Sequence, residues 1–231
     1  MGGVRIVVFG AGGRAGRRAV AEAVARGHRV TAVVRDPDTY RNPDTYRNPD
    51  TYPELAGDGV RVVAGDMTRA ESVAEVADGH DAVIGAAARS DVPAAEFYVG
   101  ATRALLDGLG RAGVGRLVLL GIGTTLETAP GVAVHDAPGT PAEHRAFSLG
   151  HAAALDVLRA AETDVDWLVL APPPVFLDDE APRTGRYRTG DHRVLPDTGG
   201  PSGFSYTDLA VALIDEAESP KHHRSLVAVG A

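Results

Sequence analysis

The run Val4-Arg5-Ile6-Val7-Val8-Phe9-Gly10-Ala11-Gly12-Gly13-Arg14-Ala15-Gly16 decides how the rest of the chain is read. An apolar, β-type stretch ends in glycines at positions 10, 13 and 16, and an amphipathic helical pattern begins at once. Glycines so placed let the backbone turn tightly and approach a pyrophosphate, whose charge meets the free N–H groups of the helix N-terminus. In a chain with 28 glycines the spacing alone says little. A strand before and a helix after it turn the spacing into a dinucleotide-binding signature rather than an ordinary Gly-rich turn. Gly10, Gly12, Gly13, Arg14, Ala15 and Gly16 are therefore candidate cofactor contacts.

Working outward, His28 to Val34 reads as a second strand after a helix stop at Gly27, and it ends in Arg35. An NAD site places Asp or Glu there, about 20 residues past the glycines, to hold the ribose 2′-OH. Here Arg35 stands 19 residues past Gly16, and Asp36 follows it. A guanidinium pairs bidentately with a 2′-phosphate that a carboxylate would repel. Arg14 offers a second positive charge; the other reading for either arginine is a solvated surface residue. The expected cofactor is NADP(H).

Beyond this unit, strands and helices alternate. Strands are expected at 4–9, 29–34, 60–64, 81–86, 116–121, 165–171 and 225–229, and helices at 14–26, 69–77, 94–112, 141–161 and 205–217. This pattern predicts an α/β fold, a Rossmann-type doubly wound parallel sheet, in a single domain over 1–231 with a small C-terminal substrate-side region at 172–204. Ser205-Tyr206-Thr207-Asp208 fits a capping box opening the last helix. Asp66 and Met67 follow the third strand, where Asp66 either reaches an adenine edge or caps a helix.

Composition narrows the partners. The chain has 231 residues, no cysteine and a net charge of −8. Disulfide, thiolate and zinc–thiolate chemistry are thereby excluded. No basic face is evident to neutralise phosphates, so nucleic acid is not an expected partner. No apolar run approaches the ~20 residues of a membrane span, and no signal-peptide pattern is present. A cytoplasmic monomer or homodimer acting on a small-molecule substrate is the expectation.

One segment breaks the alternation. Asp38-Thr39-Tyr40-Arg41-Asn42-Pro43 recurs as Asp44 to Pro49 and begins again at Asp50-Thr51-Tyr52-Pro53. The residue before a proline is disfavoured in the helical region, so 38–52 reads as an extended or turn-rich loop. A tandem duplication in a tolerant loop is the plainer reading; a lid near the adenosine end of the cofactor is the sharper one.

With these residues in view, the chain resembles the atypical short-chain dehydrogenase/reductase group of NmrA-like character. The likeness is to the branch of biliverdin reductase B (flavin reductase) and its bacterial relatives. The resemblance is carried by the Gly10-x-x-Gly13-x-x-Gly16 turn, Val34-Arg35-Asp36, Gly65-Asp66, His80 to Ile84, Arg89, Leu168 to Pro173, Thr184 to Arg188 and Asp208 to Leu213. It implies an NADPH-binding fold with substrate over the nicotinamide at the C-terminal ends of the strands, as open α/β sheets generally bind ligands. By position, Ala86, Ala87, Ala88 and Arg89 should line the cofactor, as should Gly121 to Thr124. Pro172, Pro173 and Pro174 should wall the nicotinamide, with Phe176 on the substrate side.

Ordinary short-chain dehydrogenases protonate the substrate oxygen with a Tyr-x-x-x-Lys pair, the ammonium lowering the tyrosine pKa. The only lysine here is Lys221, and no tyrosine precedes a lysine by four positions. The branch it resembles also lacks the pair. Two substitutes remain. Thr124 falls where those relatives carry a serine, and its hydroxyl could bond a substrate carbonyl or the nicotinamide amide. His151 aligns with a histidine of the branch and could donate a proton or line the pocket; each has an equally ordinary reading, as a turn or helix-surface residue. His135, His144, His222 and His223 show no metal-ligand spacing and read as surface residues, so no metal is expected. Arg186 and Arg188 could hold an acidic substrate or flank a short hairpin strand.

The expectation is an NADPH-dependent reductase of a small conjugated or carbonyl substrate, such as a flavin or quinone. Fold analogy leaves open a non-catalytic NADP(H) sensor and a redox-neutral biosynthetic enzyme.

Overall fold

Seven apolar runs that read as strands line up in one sheet, which a short eighth strand extends at its edge. A computed structural model of the chain describes residues 3–38, 53–175, 177–196 and 204–231. Its strands are β1 Arg5–Phe9, β2 Arg29–Val34, β3 Val60–Ala64, β4 Ala82–Gly85, β5 Arg116–Leu120, β6 Glu127–Ala129, β7 Val132–Ala133, β8 Asp166–Ala171, β9 Arg188–Thr189 and β10 Ser225–Gly230. Its α-helices are α1 Arg14–Ala25, α2 Ala70–Ala77, α3 Ala94–Ala112, α4 Ala142–Ala160 and α5 Tyr206–Glu218. All pairings in the large sheet are parallel except β9 against β10. The expected Rossmann-type sheet is thus present.

Burial explains the strand sequences. Ile6, Val7 and Val8 are fully buried, because helices cover both faces and leave no polar side to the strand. Helix α1 packs against α5 on one face, while α3 packs between α2 and α4 on the other. In α1 the apolar side chains of the buried face are Ala15, Ala19, Val20 and Ala23, small residues at helical spacing that let the helix lie close to the sheet.

From β1 the sheet runs outward through β2 and β3 on one side, and through β4 and β5 on the other. The chain reverses its winding direction between β1 and β4, and a crevice opens there beyond the strand ends. The pairing Phe9↔Gly85 brings the tips of these two strands level. That register places the glycine turn after β1 opposite the Ala86–Arg89 segment.

The β6–β7 pair was not expected, while β9 supplies a short hairpin strand at Arg188. The β6–β7 pair and β9 have two or three residues each, too few for alternation to show. The capping box at α5 forms by half. Ser205 Oγ accepts from the Asp208 N–H at 2.9 Å. The Asp208 carboxylate instead accepts from Thr184 N–H, the Thr184 hydroxyl and Gly185 N–H at 2.9, 2.7 and 2.8 Å. Apart from Asp38, the 38–52 repeat lies outside the described residues, as does Phe176.

Candidate functional site

The crevice at the switch point is a cleft of about 410 Å³. It brings together Gly10, Gly12 and Gly13, Arg35, Asp66 and Met67, and Ala86, Ala87, Ala88 and Arg89. Phe9, Val33, Val34, Asp36, Gly65 and Phe97 complete the lining. Phe97 comes from α3 and gave no signal in the sequence, since its spacing there is that of any core residue.

The glycine turn fits a pyrophosphate. Gly10 has φ 78°, and a Cβ there would lie 2.5 Å from Ala87 N. A Cβ on Gly16 would lie 2.1 Å from Gly10 O. The turn closes because neither residue has a side chain, and Gly13 N–H donates to Gly10 O at 2.9 Å. Helix α1 starts from Gly13 with no side-chain cap and no acidic residue in its first turn. Its first N–H groups and positive dipole end are therefore left for an anion.

Not every expected contact reaches this cleft. Ala15 and Gly16 are buried beneath the turn, and Arg14 is exposed with its Nε 3.9 Å from Asp179. Gly121 and Pro172 are buried, and Pro173 half-buried, at the ends of β5 and β8, outside the cleft lining.

Charge in the cleft is mixed. Arg35 is exposed and makes no ion pair among the described residues. Arg89 donates from Nε to Asp91 Oδ1 at 2.9 Å and from Nη2 to Oδ2. The hydrogen bonds from the Arg89 guanidinium, helped by the Asp91 backbone N–H and by the charge of Arg35, hold the Asp91 carboxyl down to about 2. Asp66 Oδ1 accepts from the Thr68 N–H and hydroxyl at 2.8 and 2.6 Å. That carboxylate shapes the turn into α2 while facing the cleft; the N-cap itself is Arg69.

Behind the cleft, and sharing Met67 and Ala87 with it, lies an apolar cavity of about 40 Å³ between the sheet and helices α3 and α4. His151 of α4 lines it, stacked on Tyr98 with ring centres 3.7 Å apart and set edge-on to Phe147. The His151 Nε2 is sealed from solvent and has no hydrogen-bond partner among the described residues. Burial pushes its pKa down to about 3, and burial also raises the Tyr98 hydroxyl. A neutral imidazole, not an imidazolium, is the state the fold holds at pH 7.

Thr124 sits in the single 3₁₀ turn after β5 and donates to Ser148 Oγ at 2.9 Å. His135 Nδ1 lies 2.9 Å from both Ser148 Oγ and Thr124 O. A carbonyl can only accept, so Nδ1 carries the proton. Ser148 is fully buried and His135 nearly so. His135 is therefore not a surface residue as its spacing implied: a 3₁₀ turn over Val134–Asp136 folds it under α4. His222 is likewise half-buried, its Nδ1 2.7 Å from the buried Glu216 carboxylate. His144 and His223 are exposed.

The arginines expected near substrate have other surroundings. Arg188 lies in β9 and donates from Nε to Ala231 O and from Nη2 to Pro196 O. Arg186 is exposed in the turn that Asp208 anchors.

The strand order and the cleft define a Rossmann protein with a dinucleotide-binding crevice. The family described as NAD(P)H-binding matches residues 10–220, and the chain belongs to it. A Bacillus subtilis (strain 168) relative, the uncharacterized protein YwnB, is 31% identical over 222 residues, 95% of this chain and 94% of its own length. A crystal structure named as a "putative exported protein" from Burkholderia pseudomallei is 34% identical with a TM-score of 0.80, covering 99% of this chain and 100% of that one. Another, named as a "putative NADH-flavin reductase" from Streptococcus pneumoniae TIGR4, is 25% identical with a TM-score of 0.79, covering 98% and 99%. These relationships agree with the resemblance to atypical short-chain dehydrogenases/reductases. Among the described residues, no helix is long and apolar enough to cross a membrane.

Proposed function

We propose that the protein is an NADPH-dependent reductase of a small conjugated or carbonyl substrate, with flavins and quinones as the leading class. The observation that carries the cofactor choice is Arg35, an exposed guanidinium in the cleft lining at the position where an NAD site presents a carboxylate. The Streptococcus pneumoniae neighbour supports the substrate class; its name specifies NADH, so the preference for the phosphorylated cofactor rests on Arg35 alone.

Gly10, Gly13 and the start of α1 would hold the pyrophosphate and Arg35 the 2′-phosphate, with the reacting end of the cofactor at the C-terminal ends of the strands. Bound there, the reduced nicotinamide supplies a hydride. The chain's own part is to align the acceptor and keep water from the reacting face. His151, held neutral, does not serve as a titrating acid near pH 7, and the proton comes from solvent. Thr124 contributes by position, its hydroxyl held on Ser148 Oγ and its carbonyl on the His135 Nδ1–H.

Two measurements test this. Calorimetry should show NADPH binding at least about tenfold tighter than NADH, with Arg35→Ala weakening NADPH and leaving NADH nearly unchanged. NADPH oxidation should be detectable within a panel of flavins, quinones and enones. Equal affinities would overturn the cofactor assignment. Tight NADPH binding with no oxidation by any acceptor would overturn the reductase and leave a sensor or a redox-neutral enzyme.

A further inference from the structure

The cleft wall opposite the glycine turn carries an anion of its own. Arg89 lines the cleft, and both its Nε and Nη2 are engaged by one carboxylate, that of Asp91, in the parallel two-bond geometry that guanidinium also offers a phosphate. Asp91 is 57% exposed, so no packing requirement holds it there. Arg35 lies near enough for its charge to act on the same carboxylate. Asp91 thus pairs with one of the two arginines that line the cleft.

We propose that Asp91 is an internal counter-ion: its carboxylate occupies the face of Arg89 that the 2′-phosphate of NADP(H) takes on binding, and so sets how strongly the chain discriminates NADPH from NADH. The inference rests on the NADPH reading above and adds a residue to it. A carboxylate and a phosphate compete for the same donors, and the like charge of Asp91 opposes the incoming dianion until it swings away. NADH has no 2′-phosphate and does not displace it. Discrimination between the cofactors is then weaker than two free arginines would give.

The test uses the whole chain and binding alone. Dissociation constants for NADPH, NADH, 2′,5′-ADP and 5′-AMP are measured by calorimetry for the wild type, Asp91→Asn and Arg89→Gln. Asp91→Asn should tighten NADPH and 2′,5′-ADP roughly fivefold, the scale of an exposed ion pair, and leave NADH and 5′-AMP within about twofold. Arg89→Gln should weaken NADPH and 2′,5′-ADP and remove the effect of a second Asp91→Asn change. If Asp91→Asn weakens the phosphorylated ligands, Asp91 orients Arg89 instead of competing with its ligand, and the proposal fails. It fails too if the substitution changes nothing. A wild type that binds NADPH and NADH equally, with Asp91→Asn shifting both or neither, overturns the NADPH reading itself. Wild-type preference for NADPH with no Asp91 effect overturns only the counter-ion.

Discussion

His151 ties stability to pH with a definite sign. In the folded chain its pKa is about 3 against an ordinary 6.5, because the imidazolium would lose its hydration in the apolar cavity. As pH falls, the unfolded chain takes up the proton first. The contribution of this residue is therefore complete above about 6.5 and is lost as pH drops toward about 3, with a slope of about 1.4 kcal/mol per pH unit. The Nε2 without a partner is a second, pH-independent penalty of about 1–3 kcal/mol. His151→Leu removes both, so it should melt no lower than the wild type at pH 7 and show a shallower fall in melting temperature between about pH 6 and 4. An unchanged acid limb would mean that the imidazole is not held neutral by burial. The same neutrality predicts turnover that varies little between about pH 6 and 8, and a His151→Leu variant with the same flat profile.

At the scale of the β1–turn–α1 unit, the sequence pattern treats the three glycines alike and the structure separates them. Gly16 has Gly10 O 2.1 Å from where a Cβ would sit, with Gly10 C at 2.7 Å and Ala11 Cα at 2.9 Å. All three are backbone atoms, so nothing can rotate away. At Gly13 the one close atom is Gly10 O at 3.2 Å, and its φ of −81° suits any residue. Gly16→Ala should therefore cost about 1–3 kcal/mol of stability and at least about tenfold in NADPH affinity. Gly13→Ala should cost under about 1 kcal/mol. Thermal melts with and without NADPH decide this, and equal losses at the two positions would show that the turn relaxes around an added methyl. The existence of this unit was legible, because strand, turn and helix are all local. Which glycine is indispensable was not, since that depends on how Gly10 and the helix start face each other in space.

Across the whole molecule, legibility follows sequence separation. Every long strand and helix could be read, since each is encoded by its own period; the cleft followed from strand order. The polar contacts that join distant segments had no local signature. Arg183 donates from Nε and Nη2 to the buried Glu22 of α1 at 2.7 and 2.8 Å, across 161 positions. Arg18 reaches Asp179 at 2.9 Å over the same separation, and the Tyr187 hydroxyl donates to Asp215 of α5. The 177–188 stretch, expected among substrate-side loops, is clasped along the α1–α5 layer by these pairs. Glu22 is the centre of the clasp, since it also accepts from Arg26 Nε at 2.8 Å. Hydrogen bonds from Arg183 above all, and from Arg26, hold its carboxyl below the ordinary 4.5 despite burial. Its stabilising contribution is thus present above about 4.5 and is lost as pH falls through the lowered folded value. Glu22→Gln should destabilise by about 2 kcal/mol at pH 7, less than a fully buried pair because Arg183 is half-exposed. The gap between variant and wild type should narrow as pH falls below about 4.5 and close once it passes the lowered folded value, where the carboxylate is protonated in both folded and unfolded wild-type chains. Limited proteolysis at pH 7 supplies the spatial readout: cleavage near Arg183 and Arg186 should accelerate in Glu22→Gln. A variant that melts lower with unchanged cleavage there would place the loss in α1 alone and dissolve the clasp.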